Sequence, residues 1–150
     1  MKKRILVVSV LIAVCSLSVV AQPSVFRQKE LPKMLQSWPI SFRLSTAEMN
    51  QMLQEKSQTN MHISLDDRTQ MELTFVKRQQ WEDGSETIAY VINNLPKGTL
   101  FNVNKTYKNG KVLYRAHIVN HAYSDAYQLT SFNEREFVFT KTDTENIVVE

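Results

Sequence analysis

His117, His121 and Asp125 stand four residues apart in sequence. On a helix that spacing puts three metal-ligating side chains on one face, with neighbouring Cβ atoms about 6 Å apart. The local pattern is not that of a helix. From Lys111 to Val119, residues Val112, Tyr114, Ala116 and Ile118 alternate with Leu113, Arg115, His117 and Val119, and the run is rich in β-branched and aromatic residues. Four residues of strand span about 13 Å, too far for two imidazoles to reach one ion at about 2.1 Å each. Ile118 also stands where the zinc-peptidase signature needs a glutamate. No metal site follows from this spacing.

Nucleophilic chemistry finds no better footing. Ser124 and Asp125 are too close in sequence to His121 to suggest a triad. With glycines only at 84, 98 and 110, neither a Gly-x-Ser-x-Gly elbow nor a phosphate-cradling or dinucleotide loop fits. The acidic pairs Asp66-Asp67 and Glu82-Asp83 fall in turn sequences, where solvated roles are the norm. We therefore assign no catalytic residue, metal or cofactor, and expect a protein that is not an enzyme.

Binding chemistry is better represented. Trp81 sits among polar residues beside the Asp83-Gly84 turn, where a tryptophan can anchor an interface or fold across its own hairpin. Tyr107 and Lys108, with Lys105 and Lys111, surround the Asn109-Gly110 turn and make a local basic tip. Tyr123 and Tyr127 cluster with Tyr114 near the next turn, placed to line the mouth of a pocket or to fill a barrel end. The candidate binding residues are therefore Trp81, Tyr107, Lys108, Tyr123 and Tyr127.

The elements that must position them are mostly strands. Ser45-Thr46-Ala47-Glu48 has the spacing of a capping box, and behind it Met49, Met52 and Leu53 form an apolar stripe, so one helix is predicted from about Thr46 to Ser57. From Met61 the period becomes two. Strands are predicted near 40–44, 61–65, 69–78, 86–93, 99–106, 111–119, 126–132 and 135–141, with a weak tail at 146–149. Short turns containing all three glycines separate several of them, which makes neighbouring strands antiparallel. The predicted fold is α+β and mostly antiparallel β: a meander of seven to eight strands with one early helix, arranged as a curved-sheet roll or a small closed barrel. An irregular lead-in occupies 22–38, where Leu31, Met34 and Leu35 suit a single helical turn capping a core edge, and a single domain occupies 39–150.

Charge reinforces the binding reading. The 150-residue chain has 18 Lys and Arg against 15 Asp and Glu, formally +3. Three of the basic residues are Lys2, Lys3 and Arg4, ahead of an apolar stretch ending at Ala21, the pattern of a cleavable export signal over 1–21. Removing it leaves 15 charges of each sign, so nucleic acid is not an expected partner. Cys15, the only cysteine, leaves with the signal, and Val14 stands where a lipidation box needs a small residue, so neither a disulfide framework nor a thiol nucleophile nor a lipid anchor is expected. No membrane span is expected after signal removal.

The sequence thus predicts a secreted or periplasmic, non-catalytic binding protein, most simply one that binds or inhibits an exported protein partner through hairpin tips. Two alternatives are a carrier holding an apolar small molecule among Met71, Leu73, Phe75, Tyr90 and Phe101, and a hydrolase using His117, His121 and Asp125.

Overall fold

The computed structural model describes residues 30–54 and 60–147. The predicted export signal lies outside the described residues, and so do the last predicted positions of the helix, 55–57. Among the described residues eight strands make one antiparallel sheet: β1 (Ser41–Ser45), β2 (Asn60–Ser64), β3 (Gln70–Gln80), β4 (Glu86–Ile92), β5 (Leu100–Lys108), β6 (Lys111–Val119), β7 (Asp125–Phe132) and β8 (Glu136–Asp143). Their order is β1-β8-β7-β6-β5-β4-β3-β2, a meander from β2 to β8 with β1 added beyond β8. β1 and β2 are the two edges and do not pair, so the sheet curls into a half-barrel and does not close.

The α-helix α1 (Thr46–Gln54) leaves β1 and lies against the inner face. Its start is the predicted capping box: Glu48 N donates to Ser45 Oγ at 3.1 Å, and Ser45 N donates to Glu48 Oε2 at 2.7 Å. Thr46 N is satisfied by Arg135 O. Met49, Met52 and Leu53 are buried, and Tyr90 Oη donates to Met52 O at 2.8 Å, tying the helix to β4. The inner face supplies the rest of the core, with Leu44, Met71, Phe101, Val103, Ile118, Tyr127 and Phe139 all essentially unexposed.

Two bulges interrupt the period of two. One lies between Phe75 and Lys77 in β3, the other between Leu129 and Ser131 in β7. Each inserts one residue and thereby changes which later side chains face inward. Past the first, Arg78 pairs with Ile88 and Gln80 with Glu86; past the second, Phe132 pairs with Phe137. Strict alternation would have put Lys77 and Ser131 on the inner face.

The described part of the lead-in, 30–38, contributes to the core. Leu35 is completely buried and Trp38 nearly so, whereas Leu31 is exposed. Its single turn runs from Leu35 to Trp38, closed by Trp38 N donating to Leu35 O, a few residues later than the sequence suggested. At the other terminus Thr144–Asn146 form a 3₁₀ turn that meets the weak strand expected at 146–149 only at Asn146, and 148–149 lie outside the described residues.

Candidate docking groove between the hairpin tips

The half-barrel has two unlike ends. At one, the β3–β4, β5–β6 and β7–β8 hairpins turn; at the other lie the remaining turns and the lead-in. The β5–β6 turn has Asn109 and Gly110 both at positive φ, 53° and 74°, as a two-residue hairpin loop requires. The β3–β4 tip is closed by Trp81 N donating to Ser85 O at 2.8 Å and by Asp83, whose carboxylate accepts from both the amide and the hydroxyl of Ser85. Gly84 sits there at φ +80°, and a Cβ on it would lie 3.5 Å from the Tyr107 ring, so the two tips are in contact.

Between these tips runs an open groove of about 980 Å³. Trp81 comes from the first tip; Tyr107, Lys108, Leu113 and Arg115 come from the second. Three of its apolar side chains are unusually exposed: Trp81 at 46%, Tyr107 at 48% and Leu113 at 40%. Thr87 and Asn104, joined by a 2.6 Å hydrogen bond, also line it.

At the edge of the groove two partly exposed cations gather on a buried carboxylate. Glu86 has a side chain only 7% exposed, and its Oε2 accepts from Arg78 Nε at 2.9 Å and Nη2 at 2.6 Å. Lys105 Nζ is 3.9 Å from Glu86 Oε1 and 5.5 Å from the centre of the Tyr107 ring. The Tyr107 side chain, by hydrogen bonding, is the main influence holding the Lys105 ammonium above the usual lysine range, and Tyr114 and Glu86 add to it.

Of the five predicted binding residues, Trp81, Tyr107 and Lys108 therefore meet in one groove. Tyr123 and Tyr127 lie at the opposite end. Tyr127 is fully buried, its ring edge-on to Phe42 at 4.9 Å, and its hydroxyl donates to Pro39 O. Burial pushes its phenol well above the ordinary value, and the nearby charges of Asp125 and Asp66 act the same way. Tyr127 fills the barrel end, the other placement the sequence allowed. Tyr123 is half-buried in the β6–β7 turn, its carbonyl accepting from Thr144 Oγ1. The sequence missed Leu113, which reads as one more strand residue until its outward face is known.

His117, His121 and Asp125 do not converge. The register pairs His117 with Gln128 on the outer face, whereas Asp125 shares the inner face with Tyr127. Both Asp125 oxygens are taken, accepting from Met34 N at 2.7 Å and Leu35 N at 2.9 Å. His117 Nε2 lies 3.3 Å from Asn102 Nδ2, and burial, assisted by the charge of His121, holds the ring below its ordinary value. Among the described residues no group of three His, Cys, Asp or Glu side chains is placed to hold a metal. Of the residues expected to line a ligand cavity, Met71, Leu73, Tyr90 and Phe101 are buried in the core that α1 covers, and Phe75 is partly buried against it. Among the described residues no helix is long and apolar enough to cross a membrane.

Compared with protein-family models, curated proteins and solved structures, the chain matches none.

Proposed function

We propose that this chain is an exported, non-catalytic binding protein that seats part of a protein partner in the groove between the β3–β4 and β5–β6 tips. One observation carries the reading: three exposed apolar side chains, Trp81, Tyr107 and Leu113, share an open groove with the cations Lys108 and Arg115. Exposed aromatic residues bordered by arginine are the composition of interface anchors. Both tips are held by tight turns, so little ordering is required when a partner docks. The favoured partner is an exported protein, because the sequence begins with the pattern of an export signal.

The test uses the wild-type chain as bait in its native extract, with quantitative mass spectrometry. Trp81→Ala should weaken capture of the specific partner roughly 30-fold, the effect of truncating an interface anchor of about 2 kcal/mol, and Lys108→Glu should weaken it further. Retention by both variants as tight as by wild type would remove the basis of the reading. The carrier alternative would need a ligand among side chains that are already packed against one another and covered by α1.

A further inference from the structure

On the concave side of the sheet, starting from Gln80 and Glu86 at the edge of the groove, one cross-strand row carries two kinds of chemistry. The register runs Gln80 to Glu86, Glu86 to Lys105 and Lys105 to Tyr114; a ring contact of 5.3 Å then joins Tyr114 to Phe132, and Phe132 pairs with Phe137. The β3–β5 half is ionic, with Arg78 and Lys105 gathered on Glu86. The β6–β8 half is aromatic, with Tyr114 also 5.0 Å from Phe137, and Phe132 stacked on Phe137 at 5.8 Å.

Three features make this row a surface for binding and more than a part of the core. Two cations face one carboxylate, so the ionic half is net positive, and Lys105 Nζ at 3.9 Å from Glu86 is paired by charge but beyond hydrogen-bond length. The aromatic half is not fully covered: Phe132 is 38% exposed and Tyr114 half-buried. Both bulges of the sheet flank the row, one turning Arg78 and the other Phe132 onto it, and bulges commonly serve to re-aim side chains in this way.

We infer that this row binds a single-chain amphiphile with an anionic headgroup, presented as a monomer, the carboxylate on Lys105 beside Arg78 and the apolar chain along Tyr114 and Phe132. A charged end next to an apolar shelf complements that ligand in both halves. The row meets the proposed protein-docking groove at Gln80 and Glu86, while Lys105, Tyr114 and Phe132 lie outside the groove lining, so loss of the groove anchor Trp81 and loss of Lys105 are distinguishable.

The test is calorimetric titration of the full chain with dodecanoate below its micelle concentration. Saturable one-to-one binding is expected. Lys105→Gln should weaken it roughly tenfold, the loss of one charge-assisted contact, while Lys105→Arg should retain it. Phe132→Ala should weaken it several-fold, and Trp81→Ala should leave it unchanged. Dodecyltrimethylammonium should bind at least about tenfold more weakly than dodecanoate, since its charge is repelled by Lys105. Far-UV and near-UV circular dichroism confirm that each variant is folded; if Lys105→Gln does not fold, the comparison of the two amphiphiles on wild type decides. Absence of dodecanoate binding, equal affinity for the two amphiphiles, loss of binding in Trp81→Ala, or binding only to anionic phospholipid vesicles would each overturn the inference.

Discussion

The two ends of the half-barrel differ in how far along the chain their polar side chains reach. At the lead-in end, polar side chains are used to fasten backbone. Asp125 takes the amides of Met34 and Leu35, Lys141 Nζ donates to the carbonyls of Leu35 and Trp38, and the Tyr127 hydroxyl donates to Pro39 O. Asn120 does the same for the β4–β5 turn, donating to Lys97 O and Thr99 Oγ1 at 3.1 Å. At the hairpin-tip end the turns are closed by near neighbours, Asp83 accepting from Ser85 and Asn133 from Arg135 and Glu136, and Trp81, Tyr107 and Leu113 are left exposed around one groove. The difference teaches where stability and binding are separable: substitutions at the first end should change folding, and substitutions at the second should change what the protein holds.

The largest break should come from Asp125→Ala. It deprives two amides, one buried and one partly buried, of their acceptor, at a cost of about 3 kcal/mol by denaturant unfolding, while any partner affinity at the tips of the still-folded protein stays the same. A loss below about 1 kcal/mol would mean the lead-in is held by Leu35 and Trp38 packing and by the Lys141 and Tyr127 hydrogen bonds, without need of Asp125. Tyr127→Phe should be milder, about 1 to 1.5 kcal/mol, because the ring remains in the core and only the bond to Pro39 O is lost.

The smallest effect belongs to neither end and sharpens the comparison by isolating the outer sheet face. Folding holds His117 below its ordinary value, so the folded chain favours the neutral ring. That contribution is complete above about pH 6.5, the unfolded value, and is lost as pH falls through the lower folded value. The melting temperature should therefore fall more between pH 7 and pH 5 in wild type than in His117→Gln. Equal falls would show that the ring is indifferent to its charge.

Much of this arrangement is legible in the sequence. The capping box at Ser45 and Glu48, the stripe Met49, Met52 and Leu53, and the turns at Gly84, Gly98 and Gly110 depend on a few neighbouring residues, and local chemistry decides them. Trp81, Tyr107 and Lys108 come from two tips that the β4–β5 pairing brings side by side. The bulges at Val76 and Thr130 are set by pairing across strands, and a period-two reading passes over them; so the inward turn of Arg78 and Phe132 stays hidden, and with it the mixed row on the concave face. The role of Asp125 is hidden for the same kind of reason, since its partners lie about 90 residues away in sequence.

The most direct test of the separation between the ends is partner capture by a Trp81→Ala, Lys108→Glu double variant, measured together with its unfolding free energy. Both side chains line the open groove, so we expect stability within about 0.5 kcal/mol of wild type and capture reduced at least roughly 30-fold. Undiminished capture by a double variant of wild-type stability would contradict the assignment of binding to the hairpin tips.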